Sequence, residues 1–255
     1  MSPSCSPAGS ARRGRRALLL VAACVALGLL VTGPTAAGVA SPAEVRPEPG
    51  ARAAETPRRP LASTMLRRLV TRPKGRAAGF ARSRFGLGWV DTDRNGCDTR
   101  NDVLRRDLDE PVLDVDGCTV TAGTLIDPYT RVTMDRLGEM AIDHVVGLRD
   151  AWRQGARRWT WQKRVRLAND PLNLLAVDSV AMRGRRGADA GRWLPENTTF
   201  RCQFVARQVA LKATYGLTVT PRERAQFATV LRTCPGQRTP DPSERPSVAP
   251  MPLSG

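Results

Sequence analysis

The chain holds one histidine, His144, which stands beside Asp143 in the apolar run Ala141-Ile142-Asp143-His144-Val145-Val146. An imidazole titrates near neutrality and can take a proton from water. A carboxylate next to it offers the hard oxygen that Mg²⁺ or Mn²⁺ requires. The run reads as a strand, where adjacent side chains point to opposite faces. Both groups can serve one site only at a strand end or a bulge. A lone histidine hydrogen-bonded in a core is the competing reading, and two later stretches weigh against it. Asn173 lies in Asn169-Asp170-Pro171-Leu172-Asn173-Leu174-Leu175, and an asparagine opening an apolar turn caps backbone groups. Met182-Arg183-Gly184-Arg185-Arg186 is basic enough to face an anion, although a solvated turn has the same composition.

The elements that must position these residues follow from periodicity. Residues 132–135 and 140–146 read as strands, and 148–156 and 161–168 as helices. Residues 174–177 form a short extended piece. A helix over 180–193 is weakened by Gly184, Gly187 and Gly191. Val205, Val209 and Ala213 recur at spacing four in a helix over 199–213. Thr220 and Glu223 spell a capping box, with Pro221 at the first helical position and Phe227, Val230 and Leu231 on the apolar side. Upstream, 101–108 reads as a helix, and 112–115 and 119–122 as strands about Asp116-Gly117. Short strands mixed with helices give an α+β class.

Composition sets the outer limits. In 255 residues the chain has 40 basic and 24 acidic side chains, a net charge of +16. Residues 1–40 hold four arginines and no acid, so the remainder keeps 36 basic against 24 acidic. That balance favours a polyanionic partner, DNA or RNA. The basic stretch 12–16, the apolar run 17–31 and the small residues to Ala37 and Ala40 read as a signal peptide over 1–40. The expected product is secreted, with no stable membrane association after cleavage. Residues 41–79 read as a linker with a short helix, 80–235 as the folded domain, working as a monomer, and 236–255 as a disordered Pro/Ser tail. Outside the signal four cysteines remain, which in an exported chain implies disulfides. Of three pairings, Cys97–Cys118 with Cys202–Cys234 is favoured, because each pair brackets one structural unit. The absence of a CxxC pair argues against zinc.

Three segments carry a family resemblance. They are Gly88-Trp89-Val90-Asp91-Thr92-Asp93-Arg94-Asn95-Gly96-Cys97-Asp98-Thr99-Arg100-Asn101-Asp102, Ile142-Asp143-His144-Val145-Val146 and Asn169-Asp170-Pro171-Leu172-Asn173-Leu174-Leu175-Ala176-Val177-Asp178. Over about 80–235 the chain resembles secreted actinobacterial HNH (ββα-metal, His-Me finger) endonucleases. These are similar to the C-terminal nuclease domain of modification-dependent restriction enzymes.

The resemblance implies a disulfide-braced ββα-metal core with flanking helices and a metal-dependent endonuclease that cuts DNA with little sequence preference. Asp143 maps to a metal ligand, His144 to the general base and Asn173 to the residue that positions the histidine strand. The second ligand position, nine residues after Asn173, is Met182, whose soft thioether suits Mg²⁺ poorly. A catalytically weakened, nucleic-acid-binding relative is therefore the alternative. Asp189, seven residues on from Met182 and so on the same helical face, is the substitute ligand expected. Arg100 and Arg185 are the candidates to stabilise the phosphorane. Separately, Asp91-x-Asp93-x-Asn95-Gly96, with Asp102 at the twelfth place, mimics a Ca²⁺ loop, although a turn rich in Asp and Gly has the same look.

Overall fold

The computed structural model describes residues 58–248. The expected signal peptide, the first part of the linker and the end of the tail lie outside the described residues. Within them the chain forms α1 (Ala62–Arg68), α2 (Thr99–Asp107), β1 (Asp109–Leu113), β2 (Val120–Ile126), β3 (Thr133–Met134) and β4 (Met140–His144). Then come α3 (Leu148–Arg153), α4 (Trp161–Ala168), β5 (Leu174–Asp178), α5 (Ser179–Arg185), α6 (Arg201–Tyr215) and α7 (Pro221–Arg232). The class is α+β, as expected. Strands β1, β2 and β3 form one antiparallel sheet, and β4 and β5 a second antiparallel pair.

The core surrounds α6. Phe204, Val205, Val209 and Leu211 are fully buried there, each worth about 1.5–3 kcal/mol on burial. Helix α6 stops at Gly216, whose φ of +68° favours glycine. The capping box of Thr220 and Glu223 starts α7. A smaller cluster of Leu104, Leu108, Val120, Leu125, Met134 and Met140 joins α2 to the strands. Strand β5 is buried on both faces from Leu174 to Val177, which accounts for its unbroken apolar run. The sulfurs of Cys97 and Cys118 are bonded, as are those of Cys202 and Cys234.

Three expectations need correction. The helix expected over 180–193 ends at Arg185, because Arg186 turns left-handed (φ 51°) and Gly187 follows with φ 65°. The strand expected at 112–115 is displaced to Asp109–Leu113, and Val115 is fully exposed. The packed body is also wider than 80–235. Ala62, Leu66 and Leu69 are buried in the main core, Leu61 bridges Arg238, Thr71 bridges Val219, and Val248 packs against the core. The short helix expected here is α1, but isolated backbone bridges to distant segments leave no periodic signal in a sequence, so the segment reads as linker.

Candidate active site

Strand β4 ends on His144. Its register against β5 runs unbroken, with Asp143 opposite Leu175 and His144 opposite Leu174. No bulge intervenes, so alternation holds and the two side chains find different surroundings. The imidazole is 5 % exposed and stacks on Trp89 at 6.0 Å between ring centroids. Its Nε2 lies 3.0 Å from the Ala168 carbonyl oxygen. A carbonyl only accepts, so Nε2 carries the hydrogen and Nδ1 keeps a lone pair. Nδ1 has no hydrogen-bond partner among the described residues. The sealed side-chain atoms that lack one are Arg207 Nε and Gln208 Nε2, so Nδ1 is open to solvent. The ring borders a cavity of about 350 Å³, lined also by Arg82, Phe85, Trp89, Leu148 and Asn169. Burial, then the charge of Arg82, lowers the His144 pKa to about 4, against the opposing pull of Asp143. At neutral pH the ring is neutral, the form that accepts a proton.

Asp143 faces Tyr129 and Arg185. Its Oδ2 accepts from the Tyr129 hydroxyl at 2.8 Å and from an Arg185 guanidinium nitrogen at 2.6 Å. Oδ1 has no hydrogen bond among the described residues, and the side chain is 14 % exposed. Arg185 is itself buried. It donates to the carbonyls of His144, Val145 and Ala188 and packs against the Trp193 and Phe204 rings. Burial opposes its charge, but Asp143, Tyr129 and Asp150 together more than offset this and its pKa is raised. Arg185 therefore fastens the end of β4, and the guanidinium expected to meet a phosphate is committed inside the protein.

Asn173 is fully buried between β4 and α4. Its side-chain oxygen accepts from Val146 N at 2.8 Å and its amide donates to Leu167 O at 3.0 Å, while its own carbonyl accepts from Val145 N. That clamps the segment just after His144, the arrangement a strand-positioning role requires. Asn169 was singled out only as part of a motif. It accepts from Val90 N at 3.1 Å and so holds the backbone next to Trp89 at the cleft. Arg82, Trp89 and Tyr129 were not foreseen. Arg82 falls in a basic run, and the partner of Tyr129 is distant in sequence, so neither stands out. A buried tyrosine hydroxyl nonetheless demands a partner.

The remaining expectations fare differently. Asp189 is nearly buried, ion-paired with Lys74 and hydrogen-bonded to Gly191 N. With α5 ended at Arg185, its helical spacing from Met182 is lost and it is not placed as a ligand beside Asp143. Met182 is partly buried against the main core. Arg100 lies in the first turn of α2, just after the Cys97–Cys118 bridge, and no contact joins it to Asp143 or His144. In the Asp91 loop the carboxylates are spent on its own turn. Asp91 accepts from Arg94 N and Gly96 N, and Asn95 donates to Asp93 and Asp102. Among the described residues no three His, Cys, Asp or Glu side chains converge as a metal-holding set.

Residues 98–230 match the family described as GmrSD restriction endonucleases, C-terminal domain. An uncharacterized secreted protein of Arthroderma benhamiae is 34 % identical over 199 residues, covering 77 % of this chain and 93 % of that one. No solved structure matches. The matched segment spans more than half of the chain and contains β4 with His144, β5 and α5: the chain belongs to the family of the C-terminal domain of GmrSD restriction endonucleases.

Proposed function

We propose that this protein is an exported endonuclease of the ββα-metal (HNH) type that hydrolyses DNA phosphodiester bonds with little sequence preference. The observation that carries the reading is the histidine at the end of β4. It is neutral, fixed through Nε2 to the Ala168 carbonyl, and has Nδ1 open to solvent at the cleft. Membership of a restriction-endonuclease family, the antiparallel pair β4–β5 and α5 packed on it support the fold assignment. Export is supported by the secreted relative, and no described helix is long and apolar enough to cross a membrane.

In this reading a water beside Nδ1 gives up a proton as its oxygen attacks phosphorus, and the bond to the 3′ oxygen breaks. Nε2 cannot drift, because its hydrogen bond to Ala168 fixes both ring orientation and tautomer. Arg82 is the cation at the cleft that can meet a phosphate oxygen. Arg185 and Asn173 are positioning residues, which hold the backbone on either side of His144. A metal ion has one carboxylate to bind, through the free Oδ1 of Asp143. That fits Mg²⁺ or Mn²⁺ only as an ion that draws its other ligands from water and substrate phosphate. Asp143 does not line the His144 cavity, so such an ion would neutralise charge on the phosphate and the departing oxygen only where the substrate phosphate spans the end of β4. Calcium at the Asp91 loop would be structural.

One specific feature favours the second reading, a nucleic-acid-binding relative with weakened catalysis. Met182 stands at the expected second ligand position, and Arg185 already neutralises Asp143. Nicking of supercoiled plasmid with Mg²⁺ or Mn²⁺, stopped by chelator, would establish the nuclease. Salt-sensitive binding without any nicking would establish the weakened relative.

A further inference from the structure

Among the described residues, a concentration of positive charge without ion-pair partners lies away from His144. Two cavities of about 410 and 310 Å³ adjoin and share Arg72, Gln154, Gly155, Arg158 and Thr218. Together they are lined by six arginines, Arg68, Arg72, Arg76, Arg153, Arg157 and Arg158. No carboxylate lines either cavity, and none of the six forms an ion pair with a described residue. Five of the six are exposed, and Arg153 is half-buried with its Nε on the Gly75 carbonyl. In a chain with 24 acidic side chains, a surface this free of them is not what an evenly solvated face provides.

The backbone beneath is rigidly built. Gly75 N donates to Arg153 O, and a Cβ at Gly75 would lie 2.5 Å from that oxygen. The chain therefore passes here at a distance only glycine permits. Helix α3 links the two regions, since Leu148 at its start borders the His144 cleft and Arg153 at its end borders the arginine cavities. Five residues of helix span roughly 7.5 Å. A duplex presents a charge every ~1.7 Å of its axis, so one polymer reaching from end to end of α3 would offer several phosphates to these guanidinium groups.

We propose that this arginine-lined double cavity is a phosphate-binding exosite that holds the backbone of the nucleic acid whose scissile bond lies at His144. The inference rests on the reading that nucleic acid is the polymer handled at the cleft. Contacts of this kind fix position without reading sequence, and they would let a cleft whose described lining includes the cation Arg82 retain a long substrate.

The test is binding of a labelled 30-base-pair duplex to the full chain, measured by fluorescence anisotropy across a salt series with chelator present. The variant combines Arg72→Ala, Arg76→Ala, Arg157→Ala and Arg158→Ala, all exposed positions. Affinity at 150 mM salt should fall at least tenfold, and the log–log salt slope should shrink by about 3.6, the ~0.9 expected for each of four lost phosphate contacts. An unchanged affinity and slope would overturn the exosite. So would a variant that loses heparin affinity but keeps duplex affinity, since the surface would then serve an anionic polysaccharide. On the unsubstituted chain, bound duplex should protect these four arginines from phenylglyoxal, as read by mass spectrometry. Equal labelling with and without duplex would overturn the proposal even if the variant folds poorly. His144→Ala separates the two ideas. If the chain never cleaves yet binds through these arginines, hydrolysis falls and the exosite stands. If it cleaves but the arginine variant binds as before, hydrolysis stands and the exosite falls.

Discussion

Two groups of buried charge touch α6, one through Lys212 and the other through Phe204, and they are finished differently. In the first, Lys212 is fully buried and bonded to Glu223, Asp150 and Gln154. Glu223 also accepts from Gln154 and from Thr220 N, and Asp150 meets Lys74. Every carboxylate oxygen there has a partner. In the second, Asp143 and Arg185 pair as tightly, yet Oδ1 of Asp143 and Nδ1 of the adjacent His144 are left open. Neither atom is among the sealed ones that lack a partner, so water can satisfy both and a ligand can replace that water. The closed group joins α3, α6 and α7 as a fastening. The open one holds a strand end in place and keeps two lone pairs available.

The contrast can be broken at several points. Glu223→Ala should cost about 3–5 kcal/mol, because it leaves the buried Lys212 charge without its nearer carboxylate, with only the longer contact to Asp150. Urea unfolding measures this, and a loss below 1 kcal/mol would mean the closed group is no fastening. Arg185→Met should destabilise by a similar amount and also depress cleavage, since the backbone at His144 loses two donors. Wild-type cleavage in a folded Arg185→Met protein would show that the end of β4 needs no such anchor. Reduction of the two disulfides should cost about 2–5 kcal/mol for each bridge lost. A melting curve indifferent to reductant would deny them any bracing role.

The titration of His144 gives a signed prediction. Its folded pKa, about 4, is below its ordinary 6.5, so between those values the unfolded chain binds more protons. This contribution is fully present above pH 6.5 and is lost as pH falls through 4, on the order of 3 kcal/mol in all. In chelator, His144→Gln should flatten the acid side of the stability curve over that window, and equal slopes in both proteins would contradict the assignment. The smallest effect is at Met182. Met182→Asn adds an oxygen donor where the family pattern expects one, and cleavage at limiting Mg²⁺ should rise several-fold. No change would mean that the position lies outside the ion's reach.

Much of this site was legible in the sequence because its parts sit in short motifs. Asp143-His144 in an apolar run announced a strand, and Asn173 in an apolar turn announced a residue bonded to backbone. Arg185 was misread for a physical reason. A basic run looks solvated when the sequence cannot show that α5 stops there and delivers the guanidinium between Trp193 and Phe204. Asp189 was misplaced by the same helix end. A short helix in the linker was expected and α1 is one, but its packing on α6 and α7 was invisible because those partners are distant in the chain. The exosite could not be seen at all, since Arg68, Arg72 and Arg76 meet Arg153, Arg157 and Arg158 only after folding.

The general-base role of His144 is tested most directly by single-turnover cleavage of a duplex in Mg²⁺, with His144→Ala beside the unaltered chain at equal bound fraction. The rate should fall by about 10²–10⁴ while the variant keeps its fold and its affinity for the duplex. Cleavage by the folded variant at the unaltered rate would contradict the account.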